Sequence, residues 1–244
     1  RSGSDRARSD RPRRDDRGPG SEHERPRDPW VPETVTADMV DPVVANELRT
    51  LPEGLAERVA RHLAYADELA VNGDIAGARA HIAAAKRRAG RVAAVREAAG
   101  IAAYLDGDYA EALSELRAVR RMNGSDEFLP MMADCERGLG RPKKALDLLR
   151  EVDLRRLDPE TRVECLLVMA GARADLGQVD AAVLTLQVPE LTKLPKGSIR
   201  ARLQFAYADF LDQAGRPEES LEWLRKAAES DVDGVTDAAS MLDV

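Results

Sequence analysis

The sequence predicts an all-α solenoid of about five stacked helix pairs, preceded by one extra N-terminal helix. Three observations support this fold class. No stretch alternates apolar and polar residues with the period of two that half-buried strands require. The chain is 43% hydrophobic but only 4% aromatic, so its core must be built from Ala, Leu and Val. Glycine also marks five regularly spaced turns: Gly73, Gly107, Gly140, Gly177 and Gly215.

Residues 1–29 predict a disordered, Arg-rich segment of mixed charge, which we call the N-terminal tail. The tail contains no Leu, Ile, Val, Phe or Met, so it cannot bury enough apolar surface to offset the entropy lost on ordering. Residues 1–28 hold nine Arg and seven acidic residues, whereas the whole chain has a net charge of −7. The tail and the rest of the chain therefore carry opposite net charges.

Residues 30–58 predict an N-terminal extension that includes a capping helix. Asp41 followed by Pro42 is typical of a helix start, because proline in the first turn lacks only an N–H that would be unpaired anyway. This extra helix is expected near residues 42–51. Thr50 and Glu53 then have the spacing of a capping box, which predicts the start of the next helix.

Three columns of residues repeat around the turn glycines, between residues 59 and 230. A small residue stands seven positions before each glycine: Ala66, Gly100, Ala133, Ala170 and Ala208. Five positions after it stand Ala78, Ala112, Ala145, Ala182 and Ser220. Nine positions after it stand Ile82, Leu116, Leu149, Leu186 and Leu224. Small residues let two helices approach closely, and the aliphatic residues fill the space between neighbouring pairs.

The repeat resembles the tetratricopeptide repeat (TPR) family, whose helix–turn–helix unit has 34 residues. The segment "AAGIAAYLDGDYAEALSEL" matches best, with Tyr104 and Tyr109 expected to pack across the turn and Ala112 at the helix contact. The resemblance implies a right-handed superhelix over residues 59–230. Residues 231–244 are expected to form a tail or a short cap.

The sequence also departs from the TPR pattern. The family's early Trp is replaced in the five units by His62, Arg96, Leu129, Leu166 and Gln204. The fourth and fifth units follow longer linkers, "DLRRLDPE" and "TKLPKGS". Pro130 falls early in the first helix of the third unit, so that helix is expected to start late.

Residues suited to catalysis or metal binding are few. His62 and His81 are predicted to be surface or inter-helix residues, because neither lies in a metal-binding motif. Cys135 and Cys165 lie in apolar helical stretches and are predicted to be buried free thiols. The "DVDG" at 231–234 lacks the later ligands of a calcium loop. The sequence thus predicts no enzyme, no cofactor and no metal site.

Charge and hydropathy set the expected location. No apolar run approaches the roughly 18 residues of a membrane span, and no apolar segment follows the N-terminal charges as in a secretory signal. A cytoplasmic location is therefore expected. Arg exceeds Lys and Ala is abundant, a bias typical of GC-rich, actinobacterial-type genomes.

The TPR resemblance implies that the first helices of the units line a concave groove that binds peptides. The predicted partner-binding residues are Asp67, Glu97, Ile101, Tyr104, Leu105, Glu127, Met131, Asp134, Arg137, Glu164, Phe205, Asp209 and Asp212. Asp175 and Arg202 extend this lining, which then has eight acids and two bases. A solvated helix face is the alternative interpretation of these acids.

The groove lacks the Lys and Asn clamp with which some TPR domains hold a chaperone's C-terminal carboxylate, since the matching positions include Leu63, Asp67 and Glu127. The second helices instead end in cations, which we call the outer strip: Lys86, Arg87, Arg88, Arg120, Arg121, Lys143, Lys144, Arg225 and Lys226. The helix dipole alone explains cations there. An RNA-binding or acidic-protein-binding surface is the alternative.

Two functional hypotheses follow. The favoured one is a protein-interaction scaffold whose groove takes an Arg- or Lys-rich segment, with apolar anchors near Ile101, Tyr104 and Leu105. In it, the N-terminal tail competes for the same groove from within the chain. The other is a nucleic-acid-associated protein that uses the tail and the outer strip, which the net charge of −7 disfavours without excluding it.

Overall fold

A computed structural model describes residues 27–242, so the predicted tail lies outside it except for its last three residues. The described chain contains no strand; it has thirteen α-helices and two short 3₁₀-helices. The α-helices are α1 (Pro42–Leu48), α2 (Glu53–Val71), α3 (Ile75–Ala89), α4 (Ala93–Leu105), α5 (Tyr109–Asn123), α6 (Leu129–Gly138), α7 (Pro142–Arg150), α8 (Pro159–Ala174), α9 (Val179–Leu186), α10 (Glu190–Lys193), α11 (Ser198–Gln213), α12 (Pro217–Ser230) and α13 (Ala238–Leu242).

Five helix pairs form the body, as the repeat predicts: α2 with α3, α4 with α5, α6 with α7, α8 with α9, and α11 with α12. Each pair also packs against the next along the chain. None of the helices within residues 27–242 is both long and apolar enough to cross a membrane.

All five turn glycines have φ between 70° and 83°, which confirms the turn prediction. The residue after each glycine donates its N–H to a carbonyl five residues earlier, as Asp74 does to Leu69 and Asp108 to Ala103, both at 2.8 Å. This is the Schellman arrangement, which satisfies the last carbonyls of a helix. Asp74 and Asp108 then cap α3 and α5 through their carboxylates, so one turn ends one helix and begins the next.

The repeated columns lie in the core. Ala78, Ala112, Ala145 and Ala182 have no exposed surface, and the aliphatic residue nine positions after each glycine is buried in every unit. A Cβ built on Gly100 would stand 2.7 Å from Leu116 Cδ2, so the first two columns permit the close approach of α4 and α5. In the fifth unit, Ser220 donates its hydroxyl to the Ala208 carbonyl at 2.8 Å.

The predicted turn packing of unit two is confirmed. The Tyr104 and Tyr109 rings meet edge to face with centroids 5.8 Å apart. Tyr109 also packs against Gly138 of the third unit, where a Cβ would stand 2.4 Å from the ring. The two tyrosines therefore fill the space around the turn and link it to the next unit.

The start of α1 is as predicted, but the capping box is wrong. The Asp41 carboxylate accepts from the Val43 N–H at 2.7 Å, and α1 begins at Pro42. Thr50 does not cap α2; its hydroxyl donates to the Glu47 carbonyl at 2.9 Å. Pro52 instead occupies the N-cap position of α2 and has no side chain to cap with. The Thr50 hydroxyl thus bonds the turn that follows α1 and is not available to cap α2.

The predicted extension, residues 30–58, overlaps the start of α2 at Glu53. The name is kept below for the part before α2, residues 30–52, which is tied to the first two units. Arg61 of α2 donates to the carbonyls of Pro32 and Val35 at 2.9 and 2.8 Å. The Glu47 carboxylate accepts from the Ala94 N–H at the start of α4, at 2.9 Å. Leu48 is buried in the same hydrophobic cluster as core residues of α2, α3 and α4. The extension therefore belongs to the core of the solenoid's first end.

The later units show the expected irregularities. Pro130 is the second residue of α6, which has only 10 residues, so the first helix of unit three does start late. The linker before α8 holds a 3₁₀-helix, Leu154–Arg156, and the linker before α11 holds α10. Neither short helix was predicted. Near the C-terminus, Asp231 caps the turn leading to α13, whose Ala238 is buried against α12, so the end forms a short cap.

Cysteine and histidine are buried between helices. Cys135 and Cys165 are buried free thiols, as predicted, and burial raises the pKa of each to about 12. His62 and His81 are also buried, with their Nδ1 atoms 3.0 Å apart across α2 and α3. Burial lowers the pKa of both imidazoles. The inter-helix interpretation is therefore the correct one for this pair.

Candidate binding groove

The predicted groove residues do not form one continuous cavity. Four of them line a cavity at the N-terminal end: Asp67, Glu97, Ile101 and Leu105. Glu127 and Glu164 share a second depression, and Asp134 and Arg137 share a third. Phe205, Asp209 and Asp212 line a fourth, at the C-terminal end. Tyr104 and Met131 are half-buried in the cluster between α4, α5 and α6.

The N-terminal cavity has a volume of about 250 Å³ and lies between α2, α4 and the extension. Leu63, Ile101 and Ala102 contribute apolar surface from the helices. Val40 and Val44 contribute it from the extension. The extension side of this cavity was not predicted, because the column pattern on which the groove prediction rests exists only within the repeats.

Glu97 is the acid in this cavity whose pKa the surroundings raise. Its carboxyl is half-buried, and burial raises its pKa to about 7, with further contributions from the negative charges of Glu127, Glu47 and Asp41. Within residues 27–242 no Lys or Arg forms an ion pair with it. Glu97 is therefore an acid facing the groove whose charge the described chain leaves without a cationic partner.

The middle of the groove is different, because its acids are already paired. Arg137 of α6 contacts Asp134 and Asp175, both at 2.8 Å. The Tyr104 hydroxyl donates to Asp134 at 2.6 Å. Gly171 makes room for this arrangement, since a Cβ there would stand 2.5 Å from the Arg137 guanidinium carbon. This network links units two, three and four. The charges of Asp134 and Arg137 are paired with each other.

Glu164 is partly neutralised in the same way. Arg202 of α11 donates to it with both terminal nitrogens, one at 3.0 Å. Burial raises the pKa of Glu164, and Arg202 opposes that rise. Its neighbour Glu127 is exposed and makes no ion pair among the described residues. Glu127 is thus open to an external cation, and so is the exposed Glu160 in the same depression.

At the C-terminal end, Asp209 and Asp212 are exposed beside Phe205, Leu221 and Met241. The cavity they line has a volume of about 240 Å³. Asp209 accepts a hydrogen bond from Gln213 at 2.8 Å. Both ends of the groove therefore combine unpaired or weakly paired carboxylates with apolar side chains.

Five of the nine outer-strip cations form ion pairs within the described chain. Lys86 contacts Glu115 at 2.7 Å, and Arg87 contacts Asp28 at 2.9 Å. Arg120 contacts Asp126 at 2.8 Å, and Arg88 also contacts Asp28. Lys226 contacts Glu222 at 2.6 Å and lies over the Trp223 ring. Arg121, Lys143, Lys144 and Arg225 form no ion pair among the described residues. The predicted helix-end position is wrong for Lys143 and Lys144, because they lie in the first turn of α7, where the helix dipole does not favour cations.

Within residues 27–242 no three His, Cys, Asp or Glu side chains come together in a way that could hold a metal ion. The two histidines that do meet bring only one Nδ1 each to their contact.

Comparison with solved structures identifies the class of fold. A thermophilic TPR protein of Thermus thermophilus, TTC0263, matches with a TM-score of 0.59 and 17% identity, over 76% of this chain and 97% of that one. A putative kinesin light chain of Podosopora anserina with TPR-like repeats matches with a TM-score of 0.54 and 18% identity, over 71% and 94%. The chain therefore has the TPR fold. No protein-family model and no curated protein sequence matches it.

Proposed function

We propose that this protein is a non-enzymatic interaction scaffold that binds a basic protein segment in its concave groove. TPR folds expose one extended surface made of stacked repeats, and such surfaces suit an extended ligand. The observation that carries the proposal is the distribution of open acids. Glu97, Glu127 and Asp212 make no ion pair among the described residues, and they are spread from unit two to unit five.

Charge complementarity favours a basic partner over an acidic one. Exposed acids steer a cationic segment toward the groove and fix its register more than they add affinity. Phe205, Ile101 and Leu105 lie beside these acids and offer contacts for apolar anchors. The ligand class is therefore a segment with several Lys or Arg residues and one or two apolar side chains.

The test is an array of short synthetic peptides, graded by net charge, probed with the full chain. The double variant Glu127→Lys, Asp212→Lys reverses two exposed groove charges, so binding to basic peptides is expected to fall about tenfold. The control Glu229→Lys reverses one exposed charge on α12, outside the groove, and should leave binding unchanged. Equal binding by all three proteins would overturn the proposal.

A labelled single-stranded RNA probe tests the nucleic-acid alternative in the same samples. A protein that contacts several phosphates loses affinity by about 10³ or more between low and physiological salt. Because five of the nine outer-strip cations are paired internally and the chain has a net charge of −7, we expect no such RNA binding. Tight, steeply salt-dependent RNA binding without basic-peptide binding would favour the alternative.

A further inference from the structure

The extension converts one end of the groove into a cavity of limited size. Its volume of about 250 Å³ lies below the roughly 300–1,000 Å³ of pockets that hold drug-sized ligands. It is open on the groove side, where Leu105 is half exposed. A cavity of this size and opening suits one long side chain that projects from a segment lying along the groove.

The lining of the cavity combines apolar walls with negative charge. Its sixteen residues include three carboxylates, those of Asp41, Asp67 and Glu97, and no Lys, Arg or His. The other thirteen lining residues are all Ala, Val, Leu, Ile or Met. Lys and Arg have the matching chemistry, because each carries a charged end on an aliphatic stem.

We propose that this cavity is the receptor for a single lysine or arginine side chain of the bound segment. The aliphatic stem lies against Leu63, Ile101 and Val44, and the charged end contacts Glu97. This inference rests on the proposed function and adds the position of one specificity-determining contact. It also gives the extension a role in recognition, since Val40, Asp41 and Val44 supply one wall of the cavity.

The state of Glu97 gives the site a pH dependence. The charged groups around it are Asp41 and Glu47 from the extension and Glu127 before α6, with Asp67 on α2 in the same cavity lining. Because its pKa is about 7, Glu97 is largely neutral at pH 6 and largely ionised at pH 8. A bound cation favours the ionised form, so affinity for a basic side chain should rise across this interval.

The test uses backbone amide NMR of the full chain with three probes at millimolar concentration. Each probe is a single residue blocked at its backbone ends, with its side chain free: Nα-acetyl-lysine methylamide, Nα-acetyl-arginine methylamide and Nα-acetyl-norleucine methylamide. Norleucine has an aliphatic chain like that of lysine without the charge. The basic probes are expected to shift amides around Leu63, Glu97 and Ile101, more strongly at pH 8 than at pH 6. The norleucine probe is expected to shift them little.

Two variants test separately the charge of Glu97 and the empty volume of the cavity. Glu97→Gln keeps the shape and is expected to weaken lysine-probe binding about tenfold and to remove its pH dependence. Ala98→Leu fills the cavity and keeps the charge, and it should also weaken binding; thermal melting checks that both variants fold. Glu229→Gln, an exposed acid outside the groove, is the matched control.

Equal shifts with norleucine, or full lysine-probe binding by Glu97→Gln, would overturn the assignment of the cavity. That failure is distinguishable from failure of the proposed function, because the peptide array depends on Glu127 and Asp212, which lie outside this cavity. Loss of array binding in the Glu127→Lys, Asp212→Lys protein without a lysine response in the cavity would retain the groove and reject the cavity.

Discussion

At the scale of single residues, buried charge is placed where a neighbouring helix supplies its partner. Glu136 of α6 is almost fully buried, and its carboxylate contacts Arg117 of α5 at 2.8 Å, with Arg141 more distant at 3.7 Å. The second oxygen, Oε2, has no hydrogen-bond partner in the described chain. Arg117 is therefore the main compensation for a carboxylate removed from water.

We predict that Arg117→Gln destabilises the protein by roughly 1–3 kcal/mol, because it leaves a buried carboxylate poorly compensated. Urea unfolding at neutral pH measures the effect. Arg121→Gln, on the same helix and exposed, should change the free energy of unfolding by less than about 0.5 kcal/mol. Similar results for the two variants would show that Arg117 contributes nothing beyond an ordinary surface pair.

The buried His62–His81 pair predicts a loss of stability in mild acid. Asp28 favours the charged form of His62, whereas Arg87 and Arg88 oppose it. Asp74 favours the charged form of His81, and the Tyr65 ring packs edge-on against it. Burial outweighs these partners and lowers the folded pKa of both below the ordinary 6.5. At these two residues the unfolded chain therefore binds more protons, so the contribution of the pair to stability is fully present above pH 6.5 and is lost as pH falls below it. Glu97 contributes in the opposite direction, because its pKa is raised in the folded state.

Urea unfolding between pH 8 and 5 measures this loss, with a slope of at most about 1.4 kcal/mol per pH unit for each histidine. A His62→Leu, His81→Leu protein should lose that part of the pH dependence and keep the part due to carboxylates. A pH dependence that is unchanged in the double variant would contradict the prediction.

At the scale of elements, the contact between α4 and α5 shows how small residues set helix spacing. Ala112 has no exposed surface, and its carbonyl oxygen lies 3.6 Å from the position of a Cβ on Gly100. We predict that Ala112→Leu destabilises the protein by about 1–3 kcal/mol through overpacking. Thermal melting measures it, and Ala110→Leu on the exposed side of α5 is the control. An unchanged melting temperature for Ala112→Leu would contradict this packing.

The repeated elements could be predicted from the sequence, whereas the unrepeated ones could not. A turn glycine with small and aliphatic residues at fixed distances specifies one helix pair, and five repetitions specify the stack. α10 has no such pattern. The capping box failed because Thr50 has two local backbone partners within reach, and spacing alone cannot decide between them. The cavity at the first end was missed for a related reason: its outer wall comes from Val40 and Val44, which precede the first repeat.

The sequence positions predict which acids line the groove, but they do not predict which of these acids are paired. Asp134 and Glu97 have the same residue chemistry. Asp134 meets Arg137 because Gly171 of α8 leaves space for the guanidinium. Such a pairing depends on three helices at once, and no column of the repeat records it. The groove is therefore less acidic in its middle than its composition suggests.

At the scale of the whole molecule, the N-terminal tail is proposed to compete with a basic partner for the groove. Asp28 is held at the end of α3 by Arg87 and Arg88, so residues 1–26, which lie outside the described residues, extend from that point. We predict that a chain beginning at Arg27 binds a basic array peptide several-fold more tightly than the full chain. Fluorescence anisotropy measures both affinities.

The control is a tail with its eight Arg residues before Arg27 changed to Gln, which should bind the peptide as tightly as the shortened chain. Both proteins keep Asp28 and its contacts with α3. Equal affinities for the full and shortened chains would mean that the tail does not occupy the groove.

The attachment of the extension also determines how the molecule responds to mechanical load. Arg61 and Glu47 fasten the extension to α2 and to the start of α4, so it spans the first two units without passing through α3. A force applied at the N-terminus therefore acts on both units through the extension. The first rupture in an optical-tweezers experiment should therefore release the extension before either unit unravels. The variant Glu47→Ala loses one of the contacts between the extension and unit two, so the first rupture should occur at lower force.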